Sequence, residues 1–253
     1  QRGVSQGEVV GRVEQVRAVN IDGTRNVVEV ALAKKAKRMI HTSSIGAFGP
    51  IFDKEISEET PSVAMQGEIN YYRSKYLAEQ EVFKGIEKGL DAVILNPAQI
   101  IGPYDYNYNP MIIHTIKKGQ MLGVPRGISV AGHVRDYARA HVAAVDKGRK
   151  GERYLLGGIS VSFQDMFESV GRVVGKPPRW QFPLPAALLT GLAKVMDAVS
   201  RYTKKEPLLT PEKVLLLNNT VRINSQKAAR ELGFSTGTLD EMFADCYRWM
   251  QQV

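Results

Sequence analysis

The sequence predicts an α/β protein: a parallel sheet with crossover helices on its faces, followed by a smaller, mainly helical lobe. Three observations predict it. A helix-period segment over residues 20–36 runs directly into the short β-rich stretch "RMIHTS". A longer helical segment over 70–89 runs into the apolar "LDAVILNP" of 90–97. Beyond residue 157 helical segments dominate. Helix followed by strand, repeated, implies parallel strands, because a parallel pair needs a long connection across the sheet face. The division is drawn at 1–157 for the sheet domain and 158–253 for the lobe, with elements free to interleave.

The elements follow in order. "NIDGTRNVVEVALAKKA" (20–36) has apolar residues at helical spacing, with Asn20 and Asp22 as cap candidates at its start. "HTSSIGAFGP" (41–50) then places Thr42, Ser43 and Ser44 together at the end of a strand, followed by Gly46 and Gly49. Acidic "DKEISEE" (53–59) reads as a solvated loop, and "NYYRSKYLAEQEVFKGIEKG" (70–89) as a helix closing at Gly89. Residues 110–119 and 135–148 read as helices, the latter with Asp136 near its start, and "RYLLGG" (153–158) as a strand. Further helices are expected over 162–175, 183–203, 225–233 and 238–252, the last started by a Thr238 and Glu241 capping box.

Composition narrows the function classes. With 43% apolar and 24% charged residues among 253, the chain is a globular protein able to bury a substantial core. The net charge of +8 is spread over several short clusters rather than along a stripe interleaved with aromatics, so a nucleic-acid groove is not expected. The single Cys246 excludes an internal disulfide, fits a reducing, cytoplasmic compartment, and reads as a core thiol. His41, His114, His133 and His141 show no metal-ligand spacing, so no metal is expected. No signal peptide and no 18-residue apolar run is present. The segment 183–205 joins an apolar stripe to a basic end; packing within the fold is the expectation there, and resting on a membrane surface the alternative.

Chemistry concentrates at two places. Tyr71 and Lys75 are four apart on one helix, so both side chains project from one face. An ammonium beside a phenol favours the phenolate and makes the tyrosine an acid or base usable near neutrality. Ser44 lies at the end of the preceding strand, and the helix bearing Tyr71 packs on the same sheet. Both then converge at the carboxyl edge, where ligand sites of parallel α/β sheets form.

"NIDGTRNVVEVAL", "HTSSIGAFG", "YYRSKYLAE", "LNPAQIIGP", "VRDYARAHVAA" and "ARELGFSTGTLDEMF" stand in an order that resembles the extended short-chain dehydrogenase/reductases, over about residues 20–250. That family includes sugar epimerases and dehydratases, dihydroflavonol-reductase-like enzymes and 3β-hydroxysteroid dehydrogenases. The resemblance implies a Rossmann-type doubly wound sheet and an NAD- or NADP-dependent oxidoreductase or epimerase. It implies Tyr71 as catalytic acid/base, Lys75 lowering its pKa and holding the nicotinamide ribose, and Ser44 as the catalytic hydroxyl, with Ser43 the second choice. Asn20 matches a cofactor-proximal position, Pro97 the turn lining the nicotinamide, and Asn96 a position touching substrate. A homodimer is implied as well.

Two substrate classes are compatible. "YDYNYNPM" (104–111), Arg126 and Arg135 offer donors to the diphosphate of a nucleotide sugar; "FPLPAALLTGLAKVM" (182–196) offers an apolar wall to a sterol, hopanoid or flavonoid-like molecule, which is preferred. A different class, a non-catalytic scaffold or accessory subunit of a larger assembly, is the alternative. The family's glycine-rich pyrophosphate turn is not supplied by Gly3, Gly7 and Gly11, which lie in a polar setting with no strand before them. A preceding segment outside this sequence is the expected explanation, and these residues alone are expected to hold NAD(P) weakly.

Overall fold

The computed structural model describes residues 13–67, 69–121, 123–176, 182–203 and 211–253. Gly3, Gly7 and Gly11 lie outside the described residues. The first elements are α1 (Val13–Arg17), a π turn (Ala18–Asp22) and α2 (Gly23–Ala33), followed by β1 (Met39–Thr42), a 3-10 turn (Ile45–Phe48) and β2 (Glu55–Ile56). The middle of the chain forms α3 (Asn70–Glu87), β3 (Ala92–Pro97), β4 (Gln99–Ile101), α4 (Tyr108–Lys117), β5 (Ile128–His133), α5 (Val134–Lys147), β6 (Arg153–Leu156) and β7 (Ile159–Ser162). The remainder is α6 (Phe163–Val174), α7 (Ala186–Thr203), α8 (Pro211–Asn218), β8 (Arg222–Ile223), α9 (Gln226–Leu232) and α10 (Leu239–Met250).

A three-stranded parallel sheet, in the order β1-β3-β6, carries the site. Its central strand β3 is buried at every position, which is why it reads as a continuous apolar run. Alternation divides its side chains: Ala92 and Ile94 pack with Val28 of α2 and Val82 of α3, whereas Val93 and Leu95 pack with Tyr137, Ala140 and Ala144 of α5 and with Ala228 and Leu232 of α9. The sheet is thus covered by helices on both faces, the arrangement parallel strands require.

A second sheet, β4-β5-β7, pairs β4 with β5 in parallel and β5 with β7 antiparallel. Its core joins Ile101, Ile112, Ile113 and Ile116 to Met166, Val170, Met242 and Phe243. Both sheets therefore draw on residues from either side of position 157, the first recovering α9 from late in the chain.

Several local expectations change. Asn20 and Asp22 do not cap α2: no side chain bonds its first amides, and Asn20 turns across to α3 instead. His133 caps α5 by accepting the Arg135 amide at 3.0 Å, while Asp136 accepts from Gly237 N at 3.1 Å. The acidic 53–59 stretch is not simply solvated, because Ile56 is buried and pairs with Ile223. The Thr238 and Glu241 capping box is present, and Ser162 and Asp165 form another at α6. Cys246 is a buried free thiol, pushed up to about 11 by burial. Among the described residues no helix is long and apolar enough to cross a membrane.

Candidate active site

β1 and β3 deliver their carboxyl ends side by side, with Thr42 opposite Leu95. Immediately beyond β1, Ser44 is extended (φ −161°, ψ 155°) and caps the 3-10 turn by accepting the Gly46 amide at 3.1 Å. Asn96, wholly buried on β3, donates to the Ser44 carbonyl at 3.0 Å and so fixes this loop to the sheet.

The first turn of α3 arrives over the same loop. Its approach depends on Gly46, where a Cβ would stand 2.7 Å from Tyr72 Cδ1 and 3.2 Å from Tyr71 Cε1. Tyr71 packs against the turn that Ser44 caps, and the Ser44 side chain works against the rise that burial imposes on the phenol. Its helix turn is held from the other side by a relay: Asn20 Nδ2 donates to Ser74 Oγ at 2.9 Å, and Ser74 Oγ donates to the Tyr71 carbonyl at 2.8 Å. The π turn that carries Asn20 is thereby tied to the turn that carries the phenol.

Lys75 follows one turn later, with its Nζ 6.0 Å from the centroid of the Tyr71 ring. Burial raises the Tyr71 phenol above its ordinary value, and the Ser44 side chain opposes that rise. Lys75, expected to lower it, stands over the face of the ring. Burial lowers the Lys75 amine in turn, with the charge of Glu79 working against it. Among the described residues Lys75 has neither a hydrogen-bond acceptor nor an ion-pair partner within reach, so its donors are open.

The structure brings together Ser43, Ser44, Tyr71, Lys75, Asn96, Pro97 and, through Ser74, Asn20. Ser43 and Asn96 are both buried behind the loop. Asn96, expected to touch substrate, spends its amide on Ser44 and on Glu79 Oε1, the latter at 2.6 Å. Arg135 lies apart, on the first turn of α5, with its guanidinium 2.8 Å from Asp245 of α10. A cleft of about 270 Å³ opens between the π turn and α3, lined by residues including Arg17, Arg25, Glu81 and Lys84; it contains none of the residues of this site.

Two charged residues here have no place in the sequence-based expectations, Glu79 and Arg153, and His41, weighed there only as a metal ligand, joins them. Glu79 was detectable, since it continues the Tyr71, Lys75 face by four more residues along α3. Nothing local in the sequence marks Arg153, which comes from β6 to sit 3.2 Å from Glu79 Oε2.

A family model described as the NAD dependent epimerase/dehydratase family matches residues 7–157. The chain belongs to that family. The match spans the whole Ser44, Tyr71 and Lys75 constellation, and it makes this an NAD-dependent, epimerase/dehydratase-type oxidoreductase in family terms. Among curated relatives, sterol demethylase protein B of Methylococcus capsulatus is 30% identical over 96% of this chain and 75% of its own length. A putative dihydroflavonol 4-reductase of Synechocystis is 30% identical over 92% of this chain and 69% of its own. A crystal structure of gox2253 superposes on the whole chain with a TM-score of 0.79 at 30% identity and covers 76% of that protein.

The polar residues at the sheet edge are of a chemistry that suits the family's hydroxyl-bearing cofactor. Lys75 offers unengaged donors suited to the hydroxyl oxygens of a ribose, and the tyrosine phenol stands beside them. Pro97 closes β3 next to this edge and leaves no backbone N–H there to bind water.

Proposed function

We propose that the chain carries the proton-handling half of an NAD(P)-dependent dehydrogenase or reductase acting on a carbonyl or carbinol carbon. The observation that carries this reading is the packing of Tyr71 against the Ser44–Gly46 turn at the carboxyl edge of β1 and β3, with Lys75 Nζ 6.0 Å from the centroid of the same ring. When bound, the cofactor supplies the hydride or accepts it. The chain's own residues do the rest. Ser44 donates to the substrate oxygen and orients it; Tyr71 passes its phenolic proton to that oxygen as the carbonyl is reduced, or takes it in the reverse direction. Lys75 holds the ribose hydroxyls and stabilises the phenolate left behind.

The substrate class we infer is a compact apolar alcohol or ketone of sterol or flavonoid type. Two relatives with sterol and dihydroflavonol in their names support it, as do the exposed Leu188, Leu192 and Val195 along α7. Arg135 supports a nucleotide-sugar diphosphate less well, being engaged with Asp245. The 183–205 segment extends beyond the described residues at its basic end. Residues 1–157 as the cofactor side, 158–253 as the substrate side, and a homodimer complete the proposal.

The test is Tyr71→Phe in the protein as it acts with its cofactor. Turnover of a ketosteroid or dihydroflavonol is expected to fall at least about a hundredfold, the scale of general acid catalysis, with folding unchanged by circular dichroism. Near-normal turnover in that variant overturns the assignment.

A further inference from the structure

Behind the catalytic face lies a carboxylate that the chemistry above leaves unused. Glu79 is completely buried, and so is Asn96 beside it. Carboxylates are seldom fully buried without partners, and two strands supply this one with polar neighbours. Asn96 Nδ2 of β3 donates to Oε1 at 2.6 Å, and Arg153 Nε of β6 stands 3.2 Å from Oε2. Lys75 lies one turn back on the same face of α3. Arg153 is in turn sandwiched between the rings of Phe48, 5.3 Å from its guanidinium carbon, and Phe83, at 4.9 Å.

The Asn96 amide is shared. The same Nδ2 that binds Glu79 also donates to the Ser44 carbonyl at 3.0 Å. A path of hydrogen bonds therefore runs from the Ser44 loop through Asn96 to Glu79, and the charge of Glu79 then acts on Lys75. We propose that Glu79 is a positioning residue of the site, its single carboxylate anchoring the Ser44 loop through Asn96 while serving as the fixed counter-charge of Lys75. This rests on the reading of Ser44, Tyr71 and Lys75 as the acting groups.

The surrounding charges agree. Burial raises the Glu79 carboxyl, and Arg153, Ser43, Asn96 and Lys75 all act to keep it ionised. Glu79 raises the Lys75 amine against the burial that lowers it. From β1, His41 faces Lys75; its pKa is lowered to about 4 by burial and then by the Lys75 charge, so it is neutral and offers no compensating charge. Among the described residues Glu79 is the negative group acting on that ammonium.

The experiment is a carbon-13 NMR titration of the Lys75 Cε resonance in the full chain, assigned by its loss in Lys75→Met. In Glu79→Gln the Lys75 amine is expected to titrate about one pH unit or more lower, the effect of removing one close opposite charge. Glu81→Gln, which alters the carboxylate paired with Arg25 and Lys84, is expected to leave it unmoved. A Lys75 titration unchanged in Glu79→Gln overturns the proposal, whatever happens to thermal stability, because a merely structural role moves stability alone. Should Glu79→Gln fail to fold, the unmodified chain decides. Its Lys75 resonance must then show a second inflection at the pH where the Glu79 Cδ resonance titrates, and a single inflection overturns the proposal. The titration needs no turnover. A shifted Lys75 in a chain whose Tyr71→Phe variant is unimpaired supports the Glu79 tie and sinks the functional reading; an unshifted Lys75 in a chain that needs Tyr71 does the reverse.

Discussion

Lys75 Nζ stands over the Tyr71 ring, 6.0 Å from its centroid, while the ring edge packs on the Ser44–Gly46 turn. Because burial raises the phenol, Tyr71 is protonated at neutral pH and poised to act as an acid. The two directions of reaction must then respond oppositely to pH. Carbonyl reduction is expected to hold level through neutrality and fall as Tyr71 deprotonates in the alkaline range. Carbinol oxidation needs the phenolate and is expected to rise over that same range. Paired pH–rate profiles check this, and Lys75→Met should move both inflections further into alkali, since it removes the cation that stabilises the phenolate.

Ser44 is predicted to act on the phenol as well as on the substrate. Its side chain is the influence that opposes burial at Tyr71. Ser44→Ala should therefore shift the Tyr71 phenol upward, read as the ultraviolet titration difference between Ser44→Ala with and without Tyr71→Phe. Turnover should fall about a hundredfold, the scale of one preorganised hydrogen bond to the reacting oxygen. The loop itself should persist, because Asn96 holds it by the Ser44 carbonyl and not by the side chain.

His41 sets an acid limit to stability. Burial, then the neighbouring Lys75 charge, lower its pKa from 6.5 to about 4, and its Nε2 is buried without a hydrogen-bond partner among the described residues. The unfolded chain thus binds a proton that the folded chain refuses between those two pH values, so stability declines as pH falls from 6.5 towards 4. The loss from this residue is at most about 3 kcal/mol. His41→Leu should flatten that part of the curve of melting temperature against pH. An unaltered slope would remove His41 as its cause.

The helices and central strands were legible because periodicity is a local property: β3 and α3 each announce themselves by their own residues. The Tyr71, Lys75 and Ser44 positions were legible for a related reason, since helix spacing and a strand end fix where side chains leave the backbone. What was not legible depends on distant residues. β2 exists only because Arg222–Ile223 pairs with it, and β4, β5 and β7 stabilise one another across loops and helices. Asn20 looked like a cap because its type favours caps, but Ser74, 54 residues away, offers its side chain a tertiary hydrogen bond instead. The same nonlocality places the Asn96 amide between the Ser44 carbonyl and Glu79.

Gly46 tests the packing on which the site depends. A methyl group there would lie 2.7 Å from Tyr72 Cδ1 and 3.0 Å from Cε1, inside the closest approach that buried rings tolerate. Tyr72 is itself buried and cannot swing into solvent, so the first turn of α3 must move outward. That movement carries Tyr71 with it and draws the phenol away from the Ser44 turn. Gly46→Ala is therefore expected to cost about 1–3 kcal/mol of stability, the usual range for overpacking, and more than tenfold in turnover. Tyr72→Leu, by making room for the added methyl, should recover part of both losses in the double variant. Chemical denaturation and steady-state rates on the four proteins of that cycle measure the coupling, and purely additive effects would show that Gly46 acts through something other than its contact with the ring.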